Sequence, residues 1–429
     1  MVISPDLGPI PQSKSAVIFK NILIGLLAFI ISFDSMNVFG LISPGNLILN
    51  GLKIVLLFFL LTYIYTFRQH IQNRDILLVL VLLPFFWIYF AEGNPVIATL
   101  KCISRFGSTI TFLLIPNEWK KRVVHFWFNF FVIGLIPGLI IHILKLTLGI
   151  DFPIIELTNI LGEKYDSHFL LYFYDRWNYI RFNSLYDEPG VVGTFVVLFL
   201  LFYHEPVKKW KKATLWLGGI ATLSFYFFVS IPMILSLKML HKGKKLSLLL
   251  FILLGIVLMT NSSSIIRYIL STTNQSPVYQ DLIFQAIKSR ISFDEKSDGP
   301  VEFQTNRVHA DTYNFEKFIN DDWVSITFGN VLTKGREEFT ALTTGGLGQE
   351  IFLYDYGILL YLAGFLFMFL LAYVPWNNGW LYTFVAFILI CLCFYQRPFI
   401  YRADFLCIIY MGSLSYASML KRKKKSLVL

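Results

Sequence analysis

The segment Arg181-Phe182-Asn183-Ser184-Leu185-Tyr186-Asp187-Glu188-Pro189-Gly190-Val191-Val192-Gly193 sets both signs of charge against the start of an apolar run. A guanidinium offers paired donors to a phosphate and stays charged at any working pH. Glu188 is a carboxylate available to take a proton from a hydroxyl, and Asp187 beside it is a candidate substrate contact. The same two carboxylates suit a helix start. Pro189 lacks the amide hydrogen that the first turn would waste, and acidic side chains favour the positive end of the helix dipole. Both readings of Glu188 stand. Gly190 and Gly193 leave room for a ligand or a neighbouring helix to approach closely.

Further cations extend the pattern. Arg176 precedes the segment, while Arg290, Arg307 and Arg336 fall in a second long polar stretch. His309 follows Arg307 by two positions and is a candidate general base. Lys101 and Arg105 lie one helical turn apart within an apolar run, on one helix face. Cations inside such a run face a bundle interior or reach toward an interface. Read together, these residues point to an anionic, lipid-linked substrate such as a diphosphate. Read singly, an arginine in a loop is an ordinary partner for a nearby carboxylate. The chain has no HExxH pair, no CxxC and no phosphate-cradling glycine loop, so no metal or cofactor is expected.

The elements that must position these residues are mostly membrane helices. Of the 429 residues, 56% are hydrophobic, and the mean hydropathy is +0.62. Runs long enough to cross a bilayer, ~20 residues each, recur from end to end. About twelve spans are expected, near 17–39, 47–66, 76–91, 96–115, 123–148, 190–204, 213–224, 225–240, 246–260, 351–373, 380–395 and 403–420. The seventh and eighth are short enough to be one bent hairpin. The fold class is therefore all-α: a single polytopic bundle over 1–429.

The net charge of +10 comes largely from short loops and the C-terminus. Arg68 and Arg74, Lys120 to Arg122, Lys208 to Lys212, Lys242 to Lys245 and Lys421 to Lys425 all fall on one side of a twelve-span chain. That side is expected to be cytoplasmic, with both termini inside, and nucleic acid is not needed to explain the basic charge. Two long loops, 149–189 and 261–350, then lie outside. Each holds more Asp and Glu than Lys and Arg, and the second is rich in aromatic residues. A small helical cap is expected there rather than a solvated linker. Cys102, Cys391, Cys393 and Cys407 all fall in spans, so no disulfide is expected.

On these residues the chain resembles the bacterial O-antigen and exopolysaccharide polymerase family, whose superfamily includes the O-antigen ligases. The segment from Arg181 to Gly190 is similar to the family's arginine, small residue, aromatic, Glu-Pro-Gly pattern before a helix, with Ser184 where the family has a glycine. Arg290 and Arg307, followed by Phe318 to Trp323 and Phe328-Gly329-Asn330, resemble its arginine-bearing outer loop ending at a glycine turn. Phe352 to Leu359, through Gly357, resembles the helix start after that loop. Related ligases carry a histidine at the position of Gly346, and its absence favours a polymerase.

The resemblance implies a metal-independent glycosyltransferase of the bacterial inner membrane that joins repeat units carried on undecaprenyl diphosphate at the outer face. Arg181, Arg307, Glu188 and His309 would do the chemistry. Arg176, Arg290, Arg336, Lys101, Arg105, Asp187 and Gly190 would bind substrate. Its partners would be a lipid-linked donor and acceptor, membrane lipid and, as a further partner, a chain-length regulator. A ligase using the same carrier and a lipid-linked sugar flippase are the alternatives. A flippase would spread charge through several spans, whereas here charge gathers outside them.

Overall fold

In hydrocarbon every backbone amide must find a partner within the chain, and a helix satisfies this locally. The computed structural model describes residues 14–34, 45–67, 72–90, 94–158, 164–169, 172–174, 181–186, 189–241, 320–330, 348–374, 379–396 and 402–428. Among the described residues the helices begin with α1 (Lys14–Asp34), α2 (Gly45–Phe67), α3 (Asn73–Phe90), α4 (Pro95–Leu114) and α5 (Asn117–Leu148). They are followed by α6 (Pro189–Phe202), α7 (Lys209–Ala221), α8 (Phe225–His241) and the short α9 (Trp323–Phe328). The last three are α10 (Gly348–Ala372), α11 (Trp380–Gln396) and α12 (Ala403–Val428).

Four segments, Val17–Asp34, Pro95–Leu114, Asn117–Leu148 and Ala403–Leu420, are long and apolar enough to cross a bilayer. With the shorter apolar helices beside them, this is a helical membrane protein. The apolar runs expected at 17–39 through 225–240 and at 351–373 through 403–420 coincide with helices. The run at 246–260 and most of 261–350 lie outside the described residues.

One departure from an all-helical chain appears in the loop after α5. Strands β1 (Ile154–Thr158), β2 (Lys164–His168) and β3 (Tyr172–Tyr174) form an antiparallel sheet in the order β1-β2-β3. Ile154 pairs with His168, and His168 with Tyr172. Ile-Ile-Glu-Leu-Thr and Tyr-Phe-Tyr are short β-branched and aromatic runs that fit a pleated, half-covered surface.

The core gathers around α6. A helix apolar on every side belongs in an interior, and Val192, Phe195, Val196, Val197 and Leu198 are all fully buried. Trp127 of α5 meets Phe195 edge-on at 5.4 Å, and Phe405 of α12 stacks on Phe195 at 4.5 Å. The segment singled out in the sequence therefore leads directly into the most enclosed helix described.

Charges inside the bundle are paired, as a low-dielectric interior requires. Lys53 Nζ donates to Asp34 and to the Ser104 carbonyl, each at 2.8 Å. Arg402 forks onto Asp404 at 3.2 and 2.7 Å and reaches the Asp34 carbonyl at 3.1 Å. At the end bearing the basic loops, Lys120 Nζ meets Asp75 at 2.7 Å, and the Tyr410 hydroxyl donates to the same carboxylate. Arg74 caps the C-terminus of α10 through the Leu370 and Leu371 carbonyls at 2.7 and 3.1 Å. Side-chain exposure of Lys120 and Asp75 is 0% and 4%. Lys120→Met alone would strand a buried carboxylate, and the expected loss is ~3–5 kcal/mol. Lys120→Met with Asp75→Leu is expected to lose much less. Thermal unfolding of the three proteins in detergent checks this, and equal losses for single and double variants would refute the pairing.

Candidate functional site around Arg181

The site is assembled by four elements that meet beyond the midpoint of α5 from Lys120, at Gly134 and Gly138. α5 closes on Gly149 in the left-handed conformation (φ 62°), which releases the chain into the sheet. β3 then holds the loop of residues 181–186 by its edge, with the Phe173 amide donating to the Ser184 carbonyl at 2.8 Å. The loop delivers Pro189 as the first residue of α6, as its missing amide hydrogen favours.

Ser184 has φ +53°, in the left-handed region where a side chain is strained and glycine is at ease. The departure from the family pattern noted above therefore falls at a position whose backbone asks for glycine. Ser184 is compensated by a hydrogen bond from Oγ to the Gly134 carbonyl at 3.2 Å. Its seat on α5 needs a second glycine. A Cβ on Gly138 would come within 3.2 Å of both Ser184 Cα and Phe182 Cε2.

Arg181 is half-buried, and its Nε donates to the Thr222 carbonyl at 3.2 Å. The next amide, Phe182, donates to the Ala221 carbonyl at 3.0 Å. Both acceptors are carbonyls left over at the C-terminus of α7, where the helix dipole also favours a cation. α7 is 13 residues long, about 20 Å at ~1.5 Å per residue, and so too short to cross a ~30 Å hydrocarbon layer. Its turn into α8 is shaped by Thr222, whose Oγ1 donates to Gly219 at 2.6 Å and accepts from the Ser224 amide at 3.2 Å. The two short segments expected as a bent hairpin are thus two helices joined by a turn that Arg181 caps.

Beneath the loop lies a group of residues that the sequence reading passed over. Phe182 is fully buried and stacks on Tyr172 at 6.0 Å, with His142 at 5.5 Å. His142 Nδ1 and the Tyr172 hydroxyl are 2.7 Å apart. His168 lies parallel to Tyr172 at 6.0 Å, receives a hydrogen bond from Lys145 Nζ on Nε2 at 3.2 Å, and donates from Nδ1 to the Pro153 carbonyl at 3.0 Å. An ammonium only donates and a carbonyl only accepts, so these two bonds specify the neutral tautomer of His168. A signal for His142 was present: it is an ionisable residue in the middle of an apolar run.

Burial lowers the pKa of His168, and Lys145 lowers it further. The Pro153 bond, Asp151 and Asp166 pull the other way without prevailing. The sign of the consequence follows from linkage. The unfolded chain takes up a proton on this histidine at the ordinary value of ~6.5, while the folded chain resists until lower pH. The stability contributed is complete above ~6.5 and is lost as pH falls from there through the folded value. Thermal unfolding in detergent across this window is expected to show that loss. In His168→Asn, which keeps a donor for Pro153 but cannot titrate, the dependence should flatten. An unchanged slope would exclude His168 as its source.

The remaining candidate residues fall in three places. Gly190 is the second residue of α6, and its carbonyl accepts from Thr194 Oγ1 at 2.8 Å. Lys101 is half-buried and Arg105 exposed on α4. α4 packs on α1, α2, α3 and α12, whereas the Arg181 loop is held by α5, β3 and the α7–α8 turn. Arg176, Asp187, Glu188, Arg290, Arg307, His309 and Arg336 lie outside the described residues.

The other two segments of the family resemblance do come together. Gly357 breaks α10 with φ +73°, and its Cα faces the backbone of Thr327, Phe328 and Gly329 at the end of α9. Gly329 itself has φ +87°. Asp322 caps α9, accepting from the Val324 and Ser325 amides at 3.0 and 2.9 Å. Among the described residues no group of His, Cys, Asp and Glu could hold a metal ion. No protein-family model matches this chain, and neither the curated proteins nor the solved structures contain a significant match.

Proposed function

We propose that this protein is a bacterial polysaccharide polymerase: a membrane glycosyltransferase that joins undecaprenyl-diphosphate-linked oligosaccharide repeat units. The observation that carries the reading is a half-buried arginine held at a helix-capped joint in the segment that resembles the family's pattern. In this reading the long apolar runs cross the inner membrane, α7 and α8 enter it together as a bent hairpin that returns to the side it left, and the basic loops and both termini face the cytoplasm. Arg181 and the loop 261–350 then lie on the outer side.

The chemistry asked of the site is modest. An acceptor hydroxyl oxygen attacks the anomeric carbon of the donor chain. The bond from that carbon to the diphosphate oxygen breaks, and its electron pair leaves with the lipid diphosphate. The hydroxyl proton passes to a carboxylate such as Glu188, to His309, or to the departing phosphate. Negative charge develops on the leaving group, where a preorganised guanidinium stabilises it without a metal. Holding two lipid-linked chains side by side in one membrane supplies much of the remaining acceleration.

Purified protein in liposomes, given lipid-linked repeat units alone, is expected to produce a ladder of polymer. Product formed only when a separate, non-diphosphate acceptor is added would mean a ligase. Movement of the labelled lipid across the bilayer without product would mean a transporter. Thiol labelling of intact cells tests the topology separately. Ser297→Cys should react with an impermeant reagent and Lys208→Cys should not, and the reverse pattern would overturn the orientation.

A further inference from the structure

α5 has 32 residues, about 48 Å at ~1.5 Å per residue, against a hydrocarbon layer of ~30 Å. Its basic end is marked by Lys120, Lys121 and Arg122, so the excess length projects at the sheet end. A helix leaving the bilayer for water is expected to turn polar on its open side. This one does not. Ile133, Ile140 and Ile143 are exposed along its length, and Leu146 and Leu148 continue the exposure through the last turn, Leu148 at 66%.

The exposure then passes into the sheet. Ile150 follows the helix cap, Ile154 and Ile155 open β1 at 47% and 42%, and Phe169 is exposed at the end of β2. Successive strand residues point to opposite faces, so β1 presents apolar side chains on both sides at once. Among the described residues β1 is also an edge, since the order is β1-β2-β3. In water a bare apolar edge strand invites aggregation, and soluble proteins guard such edges with charge or proline. Here the guard is sparse: Glu156 is the charge among the exposed residues of this strand, with Asp151 and Pro153 just before it.

We propose that β1 and the final turn of α5 form a membrane-seating surface, lying edge-on in the boundary between headgroups and acyl chains of the leaflet at that end. The occupant is lipid. The argument is continuity: the surface prolongs the exposed apolar side of a helix that crosses the same bilayer. The apolar side chains of both faces then reach the acyl boundary, while the outer backbone groups of the strand stay at headgroup depth, where headgroups and water pair them, since an open sheet edge cannot enter the hydrocarbon itself. Asp151 and Glu156 then sit among headgroups. The sheet is tied to α5 by Lys145–His168 and to the Arg181 loop by Phe173–Ser184. Seating it in lipid therefore fixes the height of Arg181 relative to the membrane surface, whatever substrate that residue serves.

Single cysteines at Ile140, Ile154, Ile155 and Lys208 in a cysteine-free background, each carrying an environment-sensitive fluorophore, test this in lipid nanodiscs. Labels at Ile154 and Ile155 should be quenched by lipids spin-labelled near the top of the acyl chain and shielded from aqueous iodide. The label at Ile140 should respond only to deeper spin labels, and that at Lys208 to iodide. Iodide quenching at both strand positions would overturn the proposal in favour of a water-exposed edge. Protection from both quenchers would overturn it in favour of a protein cover. Escape of Ile140 from every lipid quencher would remove the transmembrane placement of α5, and the proposal with it. Substitution at exposed positions leaves folding intact, and detergent-stable unfolding of each labelled protein verifies this.

Discussion

Arg181→Ala is expected to abolish polymer formation while leaving a folded protein. Losing one charged donor at a developing anion costs ~2.7–4 kcal/mol, or about a hundredfold or more in rate. The structural part of the same residue is smaller. Its bond to the Thr222 carbonyl is one charged hydrogen bond, worth ~1.5–3 kcal/mol in stability. Arg181→Lys separates the two. An ammonium keeps a positive charge near the C-terminus of α7 and so preserves most of the capping, but it cannot present the paired fork to a phosphate. The lysine protein should therefore unfold close to wild type and polymerise little better than the alanine protein. The assay is polymer yield from lipid-linked repeat units, with thermal unfolding in detergent alongside. Wild-type polymer from Arg181→Lys would reduce Arg181 to a helix cap.

Gly357→Ala should be the most damaging small substitution in the described bundle. At φ +73° any side chain is strained by ~1–2 kcal/mol. The added Cβ would also lie 2.5 Å from the Thr327 carbonyl oxygen and 2.5 Å from the Gly329 amide nitrogen. Both are backbone atoms and cannot rotate away, so overpacking adds a further ~1–3 kcal/mol or more. The contrasting case is Gly25, in the middle of α1, where a Cβ would meet nothing within 4 Å. Gly25→Ala is expected to be neutral or to stabilise by up to ~1 kcal/mol. Thermal unfolding of the two proteins decides the matter. If Gly357→Ala melts with wild type, α9 does not rest in the break of α10.

The helices were legible because an apolar run in a membrane protein has few alternatives. Even the brief seventh and eighth segments, which form α7 and α8, fell where expected. The sheet was not legible, because five apolar and polar residues such as Ile154–Thr158 carry little signal beside neighbouring runs four times as long. Arg181 was legible as a charge beside a span. Its partner was not: Thr222 is 41 residues further on and contributes a backbone carbonyl, which no residue type announces. His142 illustrates a different failure. Its polarity was averaged away inside an apolar window, although the structure gives it a hydrogen-bonded tyrosine and a place under the loop. Ser184 stands where the family pattern has a glycine, and its left-handed backbone shows which constraint such a glycine answers.

The joint between Arg181 and the α7–α8 turn also has a consequence for biogenesis. The chain is made from its N-terminus, so α5, the sheet and residues 181–186 emerge well before residue 222. The Phe173–Ser184 bond can close as soon as its own segment has been made. The acceptors for Arg181 and the Phe182 amide do not yet exist at that moment. Until α7 and α8 have been inserted as a pair, the loop is held by the sheet and by α5 but lacks the two carbonyls that accept from Arg181 Nε and the Phe182 amide. Completion of the site is thereby deferred to a late step in insertion, and a truncated chain ending before Ala221 would carry every residue of the signature in a loop that cannot lock.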